Sequence, residues 1–439
     1  FGGCSGFTGS LTIPDGVTLI GASAFNGCSG FTGELRLSAE LTEIDMWAFE
    51  ECSGFTGPLN LPKGLTKIGD CAFQGCSGFT GSLTIPDGVT FIEQYTFENC
   101  SGFTGELRLP TGLIEIDSWA FRECSGFTGS LTIPDGVTFI GEYAFSKCSG
   151  FTGELKLPAD LTEINKSVFG ECSGFTGSLT IPDGVTFIGE YAFSKCSGFT
   201  GSLIIPEGVI SIGEWAFYDC SGFTGSLTIP DGVTWLGPGV FSGCSGFTGE
   251  LRLPAELTEI NRSVFGGCSG FTDSLTIPDG VTKIGEHAFN NCSGFTGELR
   301  LPAGLTEING YTFRGCSGFF GSLTIPDGVT SIGEWAFYNC SGFTGSLTIP
   351  DGLTLIEGYA FYNCEGFTGK VVFPLILSYI GVKGFFGCNK VEAFQFPHTT
   401  PLPYKYSMLP GGATVEVPTV AVDTYKATDG WKNHNIVGY

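Results

Sequence analysis

Cysteine spacing is the first feature of this 439-residue sequence that suggests chemistry. Seventeen of its 18 cysteines recur every 24 residues from Cys4 to Cys388, and Cys71 alone lies outside the series. An even number of cysteines often predicts disulfides, and a metal site would need pairs at the C-x₂₋₄-C spacing. The series has no such pairs, and a long stack of repeats has a continuous core that needs no disulfide staples. We therefore expect buried free thiols that pack as small hydrophobic groups, with Cys71 as the exposed exception.

The sequence has no recurring set of residues that could form a catalytic site. His287, His398 and His434 have no repeated partner, and no nucleophile motif such as G-x-S-x-G is present. Aspartates recur in Pro-Asp-Gly segments, but these are ordinary turn residues. One carboxylate per repeat is also a thin ligand set for Ca²⁺. We expect neither an enzyme nor a bound cofactor or metal.

An aromatic row is the first candidate binding surface. If each repeating cysteine is position 0, position 19 holds Trp or Tyr in nine of sixteen complete units. The other units have Ser, Gly, Cys, His or Lys there, so we expect this position at the surface. Flat amphipathic rings suit contacts with proteins or sugars, although they could also simply cover the edge of the core. The nine residues are Trp47, Tyr95, Trp119, Tyr143, Tyr191, Trp215, Tyr311, Trp335 and Tyr359.

A strand face with paired charges is the second candidate surface. Positions 6 and 8 are Ser and Thr in one kind of unit, and Glu followed by Arg or Lys in the other. Glu106 and Arg108 lie two apart on one face and can neutralise each other, which serves solubility as well as binding. The candidate residues are Glu106, Arg108, Glu154, Lys156, Glu250, Arg252, Glu298 and Arg300.

A single 24-residue unit positions both surfaces. It reads C-S-G-F-T-G-x-L-x-[IL]-P-x-G-[VL]-T-x-I-x-x-x-A-F-x-x and recurs without insertion or deletion. The L-x-[IL] alternation predicts a strand, the Pro and Gly a turn, and V-T-x-I a second short strand. Positions 18–23 are predicted to form one helical or 3₁₀ turn. Because so short a unit cannot bury its apolar face alone, the units must stack into a solenoid.

The charge balance excludes several kinds of partner. The chain has 20 Lys and Arg against 44 Asp and Glu, a net charge of −24. No basic patch is available to neutralise nucleic acid phosphates or an anionic membrane surface. No apolar run reaches the roughly 18 residues that a membrane span needs. We therefore expect no nucleic acid partner and no membrane span.

The pattern C-x-x-F-x-x-x-L-x-I-P-x-x-V-T-x-I-G-x-x-A-F resembles the BspA-like leucine-rich repeats of bacteria and protists. The resemblance covers nearly the whole chain, although these units carry one more residue between Phe and the strand than the family usually has. It implies a leucine-rich repeat solenoid of short parallel strands. It also implies a secreted or surface-displayed bacterial protein that is not an enzyme and acts in adhesion to host proteins or other cells.

The end of the chain departs from the repeat. We expect residues 1–387 to form the solenoid, and 388–439 a last short repeat with a small α+β cap, because an open solenoid end exposes apolar surface and strand edges. Since Phe1 falls midway through a unit, we also expect chain before it. The cap should contain a strand at Ala413–Val417, a short helix at Val420–Trp431 and a final strand at Ile436–Tyr439.

Three functions fit these features. The leading one is a secreted or cell-surface adhesion protein that recognises a host protein or another cell through an extended solenoid face. The second is a carbohydrate-binding surface protein. The third is a structural spacer that presents a segment before residue 1. If the protein binds carbohydrate, we expect sugars to stack on Trp47, Trp119, Trp215 and Trp335.

Overall fold

The structure, a computed structural model, describes residues 1–439. The chain divides into two compact units, Phe1–Phe223 and Thr224–Tyr439. Each unit is built from the same coil with two short strands, and equivalent positions of successive coils pair side by side. Each unit is therefore a parallel β-solenoid of the leucine-rich repeat type, as the sequence predicts.

The first strand of a coil lies around positions 7 and 8 and is present in every coil except the one that begins at Cys52. First strands pair in parallel and in register, so Leu11 lies opposite Leu35 and Leu323 lies opposite Leu347. Position 7 faces the core and position 8 faces solvent, which confirms the predicted alternation. In the first unit these strands are Leu11–Thr12, Leu35–Arg36, Leu83–Thr84, Leu107–Arg108, Leu131–Thr132, Leu155–Lys156, Leu179–Thr180 and Leu203–Ile204. In the second unit they are Leu227–Thr228, Leu251–Arg252, Ser274–Thr276, Thr296–Arg300, Leu323–Thr324, Leu347–Thr348, Lys370–Val372 and Ala393–Gln395.

The second strand lies at positions 15 and 16, and its Ile or Leu at position 16 is buried. Neighbouring second strands also pair in parallel, as Ile20 does with Ile44. In the first unit they are Leu19–Ile20, Glu43–Ile44, Lys67–Ile68, Phe91–Ile92, Glu115–Ile116, Phe139–Ile140, Glu163–Ile164, Phe187–Ile188 and Ser211–Ile212. In the second unit they are Trp235–Leu236, Glu259–Ile260, Lys283–Ile284, Glu307–Ile308, Ser331–Ile332, Leu355–Ile356 and Tyr379–Ile380.

Positions 18–23 form consecutive hydrogen-bonded turns, not the helical or 3₁₀ turn expected from the sequence. The N–H groups at positions 19, 21 and 23 donate to the next coil, as Trp119 N does to Glu142 O at 2.9 Å. The amides between them donate three residues back along their own chain, as Arg122 N does to Trp119 O at 3.1 Å. A continuous helix would direct every amide along its own chain, and the bonds between coils would not form.

Two phenylalanine columns fill the core. Phe at positions 3 and 21 stacks on its equivalent in the next coil, with ring centroids 5.1 Å apart for Phe103 and Phe127 and 5.3 Å apart for Phe25 and Phe49. The two columns meet edge to face, as Phe49 does with Phe55 at 6.3 Å. Both geometries are favourable for aromatic pairs, which bury large apolar areas.

The cap follows the predicted order of elements, although its helix is shorter than expected. Its two strands extend the ladder of first strands in parallel, beyond Ala393–Gln395. Within the cap, the side chains of Tyr425 and Trp431 are fully buried. No helix of the chain has the length and hydrophobicity needed to cross a membrane. The cap elements are strand Thr414–Val417, 3₁₀ helix Thr419–Ala421, α-helix Val422–Ala427, 3₁₀ helix Trp431–Asn433 and strand Asn435–Gly438.

Candidate functional site

The backbone at position 19 is left-handed in all sixteen coils. The φ angle ranges from 53° at Ser167 to 66° at Trp119, a conformation that costs an ordinary L-residue roughly 1–2 kcal/mol. No β-branched residue occurs at this position, where it would be a genuine outlier. The conformation points the N–H at the next coil, and the side chain lies at the surface. Trp47 and Tyr191 are 41% and 40% exposed, and the other seven aromatic residues are half-buried.

The position 19 row contains two stacks of rings. In the first unit the centroid of Trp119 lies 5.7 Å from Tyr95 and 4.3 Å from Tyr143. In the second unit the centroid of Trp335 lies 5.9 Å from Tyr311 and 4.3 Å from Tyr359. His287 extends the second stack at 4.4 Å from Tyr311. Because these rings lie face to face, neighbouring rings cover both faces of Trp119 and of Trp335.

Three aromatic residues of the row stand outside these stacks. Trp47 has Ser23 and Cys71 as its neighbours in the row, and no other ring contacts it. Tyr191 is exposed, and Trp215 meets only Tyr218, edge to face at 5.2 Å. The row is therefore interrupted, and it does not form one continuous aromatic stripe.

A second aromatic column, at position 22, was missed by the sequence analysis. Tyr338 stacks on Tyr362 at 4.9 Å, and Tyr362 stacks on Phe386 at 5.3 Å. Trp335 contacts Tyr338 at 4.5 Å, so the two columns join into one aromatic surface in the second unit. The ammonium of Lys383 lies 5.7 Å from the centroid of Phe386, within cation–π range. Position 22 is aromatic mainly in the last coils, and comparing those coils alone would have revealed it.

The charges of the strand face are largely neutralised in place. Glu106 pairs with Arg108 at 2.9 Å, as the sequence analysis expects, and Glu298 with Arg300 at 3.8 Å. In two other coils the cation reaches back instead to a turn aspartate of the preceding coil. Those pairs are Lys156 with Asp135 at 3.3 Å and Arg252 with Asp231 at 3.2 Å, which leaves Glu154 and Glu250 without an ion pair. All these pairs are exposed, so each contributes little to stability.

The cysteines are free thiols, as predicted. Sixteen of them are buried, and most of the buried thiols donate to a backbone carbonyl oxygen. Cys172 Sγ, for example, donates to Phe145 O at 3.0 Å. Cys71 is only partly buried, as expected, and Cys4 in the first coil is partly buried too.

A long polar groove of about 860 Å³ runs along the coils of the first unit. Its walls are the serines that follow each cysteine and the residues at position 23, whose backbone is also left-handed. Glu123 and Lys147 form an ion pair of 2.8 Å between adjacent coils along it. The sequence analysis did not find this groove, because the serines and the residues at position 23 are of types that are common in ordinary turns.

Known proteins with similar coils include several bacterial leucine-rich repeat structures. A leucine-rich repeat protein from Bacteroides ovatus is 21% identical, with a TM-score of 0.51 over 98% of this chain and 92% of that one. A leucine rich cell surface protein from Faecalibacterium prausnitzii is 24% identical, with a TM-score of 0.39 over 74% and 78%. The pneumococcal vaccine antigen PcpA is 15% identical, with a TM-score of 0.41 over 82% and 89%. A search of curated protein sequences gave no match.

The repeat itself matches a family model described as BspA type leucine rich repeat region (6 copies). Four successive matches cover residues 1–101, 79–200, 175–296 and 295–405. Together they span the solenoid coils described above. This chain therefore belongs to the BspA-type leucine-rich repeat family.

Proposed function

We propose that this protein is a secreted or cell-surface binding protein that attaches to a host protein or to another cell through its position 19 row. Solenoids of this repeat family are typically binding proteins without catalytic activity, which supports the general role. The observation that carries the proposal is the pair of ring stacks, from Tyr95 to Tyr143 and from Tyr311 to Tyr359, held at the surface of the two units.

The stacked rings favour a protein partner over a sugar. A sugar ring binds an aromatic side chain by lying on its face, but neighbours already cover the faces of Trp119 and Trp335. Ring edges carry the positive end of the aromatic quadrupole, and they suit contacts with backbone carbonyls and apolar side chains. Tyr and Trp edges with their hydroxyl and N–H groups are typical of protein interfaces.

Replacing stacked rings by serine tests this proposal. The variant carries Trp119→Ser, Tyr143→Ser, Trp335→Ser and Tyr359→Ser. It should fold, because Ser23, Ser167 and Ser263 already occupy position 19 with φ of 53–58°. We expect its attachment to host cells, measured by flow cytometry, to fall at least about tenfold, since aromatic residues dominate such interfaces.

The control for this variant neutralises the strand face. It carries Glu106→Gln, Arg108→Gln, Glu298→Gln and Arg300→Gln. The net charge stays the same, because two negative and two positive charges are removed. Full attachment of the serine variant would contradict the proposal. Loss of attachment in the control alone would move the contact to the strand face.

Carbohydrate binding is a second candidate, favoured by one residue. Trp47 is 41% exposed and has no ring on either face, so a sugar could stack on it. A glycan that binds there should quench tryptophan fluorescence in the native protein and not in a Trp47→Ser variant. The absence of quenching with every glycan of a surface-polysaccharide panel would exclude this candidate.

A further inference from the structure

Apolar side chains lie at the surface along three consecutive second strands of the first unit. Phe91, Glu115 and Phe139 lie side by side in register at position 15, on Phe91–Ile92, Glu115–Ile116 and Phe139–Ile140. Phe91 is 45% exposed, Ile114 just before the middle strand is 44% exposed, and Phe139 is half-buried. The two phenylalanines are two strand spacings apart, or about 10 Å. Glu115 occupies the strand between them, so a partner segment can meet both rings and this carboxylate together.

Acidic side chains without ion-pair partners surround these apolar groups. Glu93, Glu115 and Asp117 form no ion pair, and the nearby Lys67 pairs with Asp45 at 3.8 Å. Burial raises the pKa of the Glu93 carboxyl, and the neighbouring acids raise it further. The field at this surface is therefore predominantly negative, and Lys67 offsets it only in part.

This combination is not a by-product of the repeat. At the same position in the second unit, Glu259 and Lys283 neutralise each other at 2.5 Å, and the next residue of the column is Glu307. Those three coils have no aromatic residue on the second strand. Phenylalanine and glutamate alternate at position 15 from Phe91 to Phe187, but within this run only the coils of Phe91 and Glu115 also carry an acid at position 17.

We propose that Phe91, Glu93, Ile114, Glu115, Asp117 and Phe139 form a docking patch for a basic, partly apolar segment of a partner protein. Lysine or arginine side chains of that segment would pair with the three acids, and its apolar side chains would pack on the phenylalanines. A wholly apolar partner would bury the carboxylates without compensation, which is costly. Anionic partners such as nucleic acid would be repelled.

The docking patch goes beyond the proposed attachment through position 19. It lies on the second strands, whereas position 19 lies on the turn that follows them. The two surfaces can therefore be disabled one at a time. The chemistry of the partner, cationic with apolar side chains, is specific to this patch.

A short peptide of alternating Lys and Leu, labelled for fluorescence anisotropy, is the probe for this patch. It should bind the full chain, and binding should weaken as salt rises. The Phe91→Ser/Phe139→Ser variant should bind at least about tenfold more weakly, because it loses both apolar contacts. The Glu93→Gln/Glu115→Gln/Asp117→Asn variant should lose most of the salt dependence.

Matched controls separate the patch from general attraction to a chain of net charge −24. Glu256→Gln/Glu286→Gln/Glu334→Gln removes the same charge from exposed, unpaired acids of the second unit. Trp235→Ser removes an aromatic residue that is 41% exposed at the same position 15. The proposal is overturned if these controls weaken peptide binding as much as the patch variants do, or if a Glu-Leu peptide binds equally well. Loss of peptide binding with full cell attachment would leave the position 19 proposal intact.

Discussion

At the residue scale, burial determines what the cysteines can do. Burial raises the pKa of Cys52 to about 12 and that of Cys71, together with the charge of Glu50, to about 11. The thiolate is the reactive form of cysteine, and a raised pKa makes it scarce at neutral pH. The ladder thiols therefore act as small apolar groups that hydrogen-bond to backbone carbonyls. Little thiolate is available for redox reactions or for binding a metal.

We expect thiol labelling to follow burial. Iodoacetamide at mildly alkaline pH should modify Cys4 and Cys71 in the native protein well before the sixteen buried thiols, because only these two are partly exposed. After unfolding without reductant, mass spectrometry should show all 18 cysteines labelled. Unlabelled pairs after unfolding would mean that disulfides exist, and equal native labelling of the ladder would mean that the core opens readily.

We expect the cap to loosen as pH falls, because of His434. Its Nε2 hydrogen-bonds Tyr404 Oη at 2.8 Å, its Nδ1 is buried without a partner, and burial lowers its pKa below the usual 6.5. The unfolded cap then binds more protons than the folded cap as pH drops below about 6.5, so stability decreases with acidification. Hydrogen exchange of residues 431–439 should speed up between pH 7 and 5 after correction for intrinsic rates. The His434→Gln variant should lack that pH dependence, and an identical response in it would contradict the assignment.

At the element scale, the strands could be predicted and the turns between them could not. Burial with a period of two is visible in Leu, Ile and Val, so both strands of each coil followed from side-chain pattern alone. The turns at positions 18–23 depend on amide hydrogen bonds to the next coil, which no side chain specifies. Residues as different in size as Gly239 and Trp335 occupy position 19 with the same left-handed backbone. Residue type therefore gave no signal of this conformation.

Two glycines on either side of Cys268 should differ sharply when replaced by alanine. Gly270 at position 2 has space for no Cβ, because one would collide with the carbonyl oxygens of Phe247 and Ser245 in the preceding coil. Gly267 at position 23 has a φ of 79°, but a Cβ there would make only ordinary van der Waals contact with Gly243. We expect Gly267→Ala to cost about 1 kcal/mol of unfolding free energy, and Gly270→Ala about 3 kcal/mol, since the coils must separate.

Urea unfolding followed by circular dichroism checks this difference. Glycine occupies position 2 in all sixteen units, whereas position 23 also holds Glu, Asn, Lys and Asp. A larger loss in Gly267→Ala than in Gly270→Ala would show that backbone strain, and not the close approach of coils, limits this turn.

At the scale of the whole molecule, the sequence predicted that position 19 forms an aromatic row at the surface, but it did not predict which rings of that row stack on one another. The aromatic row followed from the variability of position 19, but the stacking of its rings depends on which neighbours are aromatic. Trp47 and Trp335 share a position, yet only Trp335 has its faces covered. The docking patch around Phe91 was missed because position 15 is highly variable, with Leu, Glu, Lys, Ser, Trp, Tyr and one further Phe in other coils. Local combinations of neighbouring coils, rather than single columns, define the candidate surfaces.

Paired deletions of equal length separate a binding surface from a spacer. Deleting residues 244–291 or residues 316–363 removes two whole coils from the second unit, so the remaining coils keep their order and register. Both variants should stay folded, because solenoid stability is close to a sum of coils and their neighbour contacts. The first deletion removes only Ser263 and His287 from position 19, whereas the second removes Trp335 and Tyr359.

If the aromatic row binds the partner, only the second deletion should reduce attachment to cells, by roughly tenfold or more as for the loss of interface hot spots. A spacer would respond to length alone, because each deletion shortens the chain by the same two coils. Circular dichroism and the urea midpoint of both variants verify that the coils remain folded. Equal attachment by the two deletion variants would therefore favour the spacer over the adhesion protein, whatever the aromatic residues contribute to stability.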